Sequence, residues 1–203
     1  MSKFNWEYIK QTLREDLVVL PHFFRNPIQG MRHLPPWQWP TILILQGGFA
    51  LVCSVIANLI VRDFFALLTG IVVVPIMNYM MVAVVSGFFY YFAKFRFHRE
   101  VPFRAVYLNV LFASIPLVIL TTVTSLVPPL VLVGCAAGLL LLFVGFVDNF
   151  QFPARPLRNL FLVIMTVYAA YWGFQQVSMS SKHKTLQKRA SPESLDILEK
   201  EMK

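Results

Sequence analysis

The sequence predicts an all-α polytopic membrane protein, with five transmembrane helices preceded by an interfacial amphipathic arm. Three observations predict it. Hydrophobic residues make up 57% of the 203-residue chain and charged residues only 14%, where soluble domains carry about 25% charged. Five apolar runs each approach the roughly 20 residues that a helix needs to cross the hydrocarbon. None of them alternates apolar and polar residues with period two, as barrel strands do. Backbone groups in lipid must be satisfied within their own segment, so each run is expected to be helical.

The arm comes first, over residues 1–40. Trp6, Ile9, Leu13, Leu17, Leu20 and Phe24 recur at helical spacing, with Lys3, Lys10, Gln11, Arg14 and Glu15 on other faces. Pro21 is expected to end or kink this first helix. Asn26 then reads as an N-cap with Pro27 at the first helical position. Ile28, Met31 and Leu34 form a short stripe facing acyl chains, and Arg25 and Arg32 face lipid phosphates. Pro35, Pro36 and Pro40 stop the helix, and Trp37 and Trp39 suit the headgroup level.

The transmembrane domain covers residues 41–177. Its spans are expected at roughly Thr41 to Val61, Phe64 to Ala93, Ala105 to Val127, Pro129 to Val147 and Leu157 to Val177. Arg62-Asp63 makes a tight hairpin between the first two, and Pro75 is a candidate kink in the second. Pro128-Pro129 stops a helix on either side. Lys94 to Arg104 forms a basic joint, and Asp148 to Arg158 joins the last two spans. Residues 178–203 form a basic polar tail. Within it Ser191 and Pro192 open a short capped helix striped by Leu195, Leu198 and Met202.

Charge distribution sets the expected topology. With five spans and the N-terminus inside, Lys and Arg divide eleven inside against seven outside, and eleven against one without the tail. The N-terminus is therefore expected in the cytoplasm, with the basic tail outside against the same rule. The net charge of +8 is spread over joints and tails. That pattern suits anionic phospholipid at the bilayer surface rather than nucleic acid.

No Asp, Glu, Lys, Arg or His lies well inside a span. Proton pumps, ion-coupled transporters and intramembrane proteases draw on such groups. No nucleophile–base set, cofactor motif or metal-ligand spacing is present either, so a non-enzymatic protein without a cofactor is expected. Cys53 and Cys135 read as small apolar side chains. The polar groups that remain are Gln46, Ser54 and Asn58 on one face of span one, Asn78 and Ser86 in span two, and Asn109, Ser114, Thr121 and Thr122 in span three. They serve either interhelical hydrogen bonds or a small polar cavity for a lipid headgroup or solute, centred on Asn58, Asn78, Asn109 and Pro116. Gly134 and Gly138 form a GxxxG, with Gly145 one heptad on. This pattern permits close helix approach within one chain or in a homodimer. Asp148, Asn149 and Gln151 read as a cap at the end of span four.

Three stretches carry a resemblance. "FFRNPIQGMRHL" is similar to a proline-led amphipathic segment before span one. "YLNVLFASIPLVIL" matches a run of small residues ending at a mid-membrane proline, here Pro116. "LLLLFVGFVDNFQFPARPLRNLFLVI" has the order apolar span, glycine, polar turn and basic entry to the last span. From about Leu17 to Val177 the layout resembles the Yip family of five-span membrane proteins, named for interaction with Ypt/Rab GTPases. Asp16-Leu17 followed by Pro21, with no intervening glycine, points to the short bacterial-type members. The resemblance implies a bacterial inner-membrane scaffold or adaptor, with a small GTPase as the family's partner. A lipid or small-solute carrier working through the polar face of spans one to three is the alternative.

Overall fold

The computed structural model describes residues 19–61, 64–124 and 127–189, with side chains described for residues 20–60, 70–124 and 127–178. Among the described residues the secondary structure is helical and contains no strand. Five helices are long and apolar enough to span a membrane: Trp39–Ile60, Gly70–Phe97, Phe103–Val123, Leu130–Phe150 and Ala154–Ser178. The chain is an integral, multi-pass membrane protein. In chain order the helices are α1 (Val19–Arg25), α2 (Pro27–Arg32), α3 (Trp39–Val61), α4 (Phe64–Phe97), α5 (Phe103–Val123), α6 (Leu130–Phe150) and α7 (Ala154–Arg189). The chain divides into two units, Met1–Phe161 and Leu162–Lys203. The second consists, over its described residues, of the continuation of α7. There Thr166 Oγ1 donates to the Leu162 carbonyl at 2.8 Å and Gln175 Nε2 donates to the Tyr171 hydroxyl at 2.6 Å.

Several boundaries differ from the sequence expectation. α4 continues past Ala93 to Phe97, which puts Lys94 and Arg96 in its last turn, where cations complement the helix dipole. α5 stops at Val123, short of Val127. The Thr124 side chain donates to the Thr121 carbonyl at 2.7 Å and helps close the end. α7 carries helical backbone to Arg189, into the segment expected as polar tail. Pro21 lies inside α1, with helical residues on both sides of it. The candidate residues Trp6 to Leu17, the Arg62-Asp63 turn and the tail helix from Ser191 to Met202 lie outside the described residues.

The first unit is built around α5. Every residue from Val106 to Ala113 is buried, as suits a helix apolar on all sides. α6 lies against it through glycines. At Gly134 an added Cβ would meet Leu117 Cα at 3.0 Å, and at Gly138 the Ala113 carbonyl oxygen at 2.8 Å. These contacts reach the α5 backbone itself, at the turn that holds Pro116. α5 is continuous through Pro116, as α4 is through Pro75. Tight neighbours and polar side chains let membrane helices tolerate an interior proline. Ser114 Oγ donates to the Leu111 carbonyl at 2.7 Å beside it.

α3 packs on α4 and α5 with Ile42, Gln46, Ala50 and Ser54 buried, a face repeating every four residues. α4 buries Val82, Ser86, Phe89 and Ala93 and leaves most of its other apolar side chains outward. Phe89 meets Phe146 of α6 (ring centroids 4.9 Å apart) and Phe161 of α7 (5.6 Å). Phe146 in turn stacks on Phe152, which meets Phe97. This aromatic column joins the ends of α4 and α6 to the first turns of α7.

Gly145 supplies a sharp test of the α5–α6 contact. A Cβ there would sit 2.6 Å from Asn109 Nδ2. Gly145→Ala is expected to lower the melting temperature of the protein in detergent micelles by several degrees. Asn109→Ala, which opens the colliding space, is expected to restore most of that loss in the double variant.

Candidate functional site

The arm and the charged candidates gather at one end of the first unit, with the start of α3, the α4–α5 joint and the end of α6. The arm begins as the sequence predicts. Asn26 caps α2 by accepting from the Gln29 N–H at 3.4 Å, with Pro27 at the first helical position. Its apolar side chains then turn into the protein. Phe23 is 2% exposed, Met31 0% and Trp37 3%. Phe23 and Trp37 both pack on Phe112 of α5, with ring centroids 4.9 and 5.2 Å away.

This corrects the expected placement of Met31, which faces protein rather than acyl chains. Trp37 is packed against protein as well, on Phe112. The sequence shows both to be apolar and cannot show which apolar medium receives them. Trp39 remains part-exposed, lying against Phe103 and Tyr107 at the mouth of α5. Phe24 and Ile28 face outward and keep the arm's outer side apolar.

The end of α6 receives the arm. Arg32 Nε donates to Asp148 at 2.8 Å, and Asn149 Nδ2 donates to the Met31 carbonyl at 2.6 Å. Gln151 ends the helix in the left-handed conformation (φ 51°), its N–H donating to the Phe146 carbonyl. The Asp148–Gln151 cluster thus caps its helix and also seats the arm. The adjacent joint is tied in by Arg99, whose Nη1 donates to the Phe150 carbonyl at 2.9 Å. His98, also at φ 51°, turns the chain out of α4.

Charge is concentrated here. Among the described residues of the first unit, Arg25, Arg32, Lys94, Arg96, Arg99, Arg104, Arg155 and Arg158 face only two acids, Glu100 and Asp148. The described residues of the joint between α5 and α6 hold no charge. Tyr90, Lys94, Arg99, Glu100, Val101, Pro102 and Phe103 line an open cleft of about 440 Å³ at the basic end.

The intramembrane candidates occupy three separate environments. Asn78 belongs to a network. Gln46 Nε2 donates to Asn78 Oδ1 at 2.9 Å and the Tyr107 hydroxyl donates to Gln46 Oε1 at 2.6 Å. The Tyr79 hydroxyl donates to the Leu43 carbonyl close by. Both ends of the Gln46 amide are satisfied, which offsets the cost of burying it. Asn58 bonds back along its own helix to the Ser54 carbonyl at 2.8 Å, beside Gly70. Asn109 is fully buried against Gly145, and neither of its amide atoms has a partner. Ser86 Oγ and Trp37 Nε1 are likewise buried and unpaired. Pro116 sits where α5 meets the α6 glycines. Gly134 and Gly138 meet α5 within the chain. Sequence reasoning passed over Tyr107 and Phe112. Tyr107 is the third member of the Gln46 network, and Phe112 is the seat of the arm; an apolar helix gives no signal that singles either out.

Compared with protein-family models, with curated proteins and with solved structures, the chain finds no match.

Two predictions follow from this geometry. In a double-mutant cycle of Gln46→Leu and Tyr107→Phe, chemical unfolding in micelles should give a coupling of about 0.6–1.7 kcal/mol, the span found for interhelical hydrogen bonds in membranes. For the arm, apolar burial outweighs the ion pair. Trp37→Ala should expose Arg25 and Arg32 to trypsin many times faster, since emptying an aromatic seat costs about 3–5 kcal/mol. Asp148→Asn should change the cleavage rate only slightly, because a half-exposed ion pair contributes about 0–1 kcal/mol.

Proposed function

We propose that this protein is a non-enzymatic membrane scaffold or adaptor that gathers lipid, and through it partner proteins, at one face of the bilayer. The observation that carries the reading is the cationic end: eight Arg and Lys against two acids, on an arm and joints tied to the bundle. A fixed cationic platform beside apolar helices holds anionic phospholipid, each near-surface cation contributing about 1 kcal/mol. The outward Phe24 and Ile28 add apolar contact at the same level. No Asp, Glu, Lys, Arg or His lies well inside a span, where coupled transport or hydrolysis would draw on one. By the positive-inside rule this end faces the cytoplasm. The resemblance to short Yip-family members supports a bacterial inner-membrane scaffold. It also supplies a small GTPase as a partner to test, and the Gly134–Gly138 pattern supplies a second copy of the chain.

A lipid or small-solute carrier is the second reading. It is favoured by one observation, the buried and unpaired Asn109 and Ser86 inside the bundle.

The scaffold reading is tested by extracting the full chain with its lipid shell in polymer nanodiscs and comparing shell with bulk lipid by mass spectrometry. Anionic phospholipid should be enriched about two- to fivefold around the protein. The variant carrying Arg25→Gln, Arg104→Gln, Arg155→Gln and Arg158→Gln should bring the shell close to bulk composition. A shell of bulk composition around the unaltered chain would count against the scaffold.

A further inference from the structure

The cleft at the α4–α5 joint has a charge pattern that the general attraction for anions does not explain. Two cations, Lys94 and Arg99, line it together with a carboxylate, Glu100. Among the described residues of the first unit, Glu100 is one of only two acids. The other, Asp148, is engaged by Arg32. A carboxylate sharing the lining with two cations weakens the cleft for a simple anion. It suits a ligand that carries a negative and a positive group side by side.

We propose that this cleft is a site for the zwitterionic phosphoethanolamine headgroup of a membrane lipid. Lys94 and Arg99 take the phosphate. One N–H group of Arg99 is engaged by the Phe150 carbonyl at 2.9 Å, which fixes the guanidinium at the edge of the cleft and leaves its other N–H groups for the ligand. Glu100 takes the ammonium, whose N–H groups donate charge-assisted hydrogen bonds to the carboxylate. Tyr90 and Phe103, edge to face with ring centroids 5.7 Å apart, give the cleft an apolar wall. Lys94 lies in the last turn of α4 and Phe103 in the first turn of α5. The cleft therefore sits where two spans leave the hydrocarbon, at the depth of lipid phosphates. Its volume of about 440 Å³ falls in the usual range for small-ligand sites, about 300–1,000 Å³.

The soluble headgroup shares this chemistry, but the cleft opens beside apolar spans, which favours a ligand that brings its acyl chains. This inference rests on the reading that the cationic end gathers lipid, and it assigns one lipid to one place there.

The test uses the full chain in detergent micelles. Native mass spectrometry follows retention of phosphatidylethanolamine, phosphatidylglycerol and phosphatidylcholine with identical acyl chains. Phosphatidylethanolamine should be retained most strongly. Lys94→Gln should lower its retention about tenfold, the loss of one charge-assisted contact. Glu100→Gln should lower it similarly while raising retention of phosphatidylglycerol, so that the preference inverts. Arg155→Gln with Arg158→Gln, two cations of the general cationic surface outside the cleft lining, should lower phosphatidylglycerol retention and cost phosphatidylethanolamine far less than Lys94→Gln does. Soluble glycerophosphoethanolamine should fail to displace the lipid.

The proposal is overturned by equal retention of phosphatidylcholine, which would put the cation on the aromatic wall instead of Glu100. Indifference to Glu100→Gln overturns it as well. So does displacement by the soluble headgroup, which would make a free aminoalkyl phosphate the ligand. An equal loss from the Arg155 and Arg158 changes would mark a diffuse field. In that case the cleft site falls, while anionic enrichment in the nanodisc shell still supports the scaffold. The Lys94 and Glu100 side chains are exposed and make no hydrogen bond among the described residues, so unchanged melting temperatures separate binding loss from misfolding.

Discussion

The rest of the first unit depends on the approach of α6 to the backbone of α5. Lipid tails are as apolar as leucine, so no hydrophobic force drives two such helices together. What remains is dispersion, which rewards close contact over a long seam. Gly134, Gly138 and Gly145 supply it by removing the side chains that would hold the axes apart. At Gly138 the approach reaches the Ala113 carbonyl, one turn from Pro116. At Gly145 the vacated space is filled by Asn109. Because α5 and α6 are locked in this way, the end of α6 stands at a defined height beside α5, whose Phe112 receives two aromatic rings.

The arm exploits that arrangement. A short helix six residues long has little stability of its own. It is ordered by an N-cap at Asn26, by burial of Phe23, Met31 and Trp37, and by two polar contacts from Asp148 and Asn149. The backbone that carries Arg25 and Arg32 is therefore held on the bundle. Arg99 extends the same logic to the α4–α5 joint by bonding to Phe150. The Asn149 and Arg99 contacts connect side chain to backbone carbonyl across segments far apart in sequence, where chain turns leave helix-end carbonyls exposed.

The intramembrane polar groups show how much of a site can be read from a sequence. Gln46 and Ser54 were legible as one face, because spacing by four survives folding. Asn58, Asn78 and Asn109 were legible as costly residues to place in lipid. Their separation into a self-bonded side chain, a three-residue network and an unpaired buried amide was not legible. It depends on which helix lies opposite, and apolar helices of similar length leave that choice open. The Asn26 cap and the proline after it were read directly, since capping is local. The destination of Trp37 was not, since tryptophan suits an interface and a protein core equally well.

By itself the sequence determined that this chain crosses a membrane as five helices. It also determined, to within a few residues, where those helices begin, and that basic residues crowd the joints of one side. Those properties follow from hydropathy, helical period and the local rules of proline and capping, which act over a few residues. Only the tertiary structure decided that the glycines of α6 face α5, that the arm turns its large side chains into the bundle, and that Lys94, Arg99 and Glu100 share one cleft. The physical reason is common to all three. Dispersion packing and charge-assisted hydrogen bonds depend on distances of a few ångströms between residues far apart in the chain, and the pattern of any one helix does not contain them.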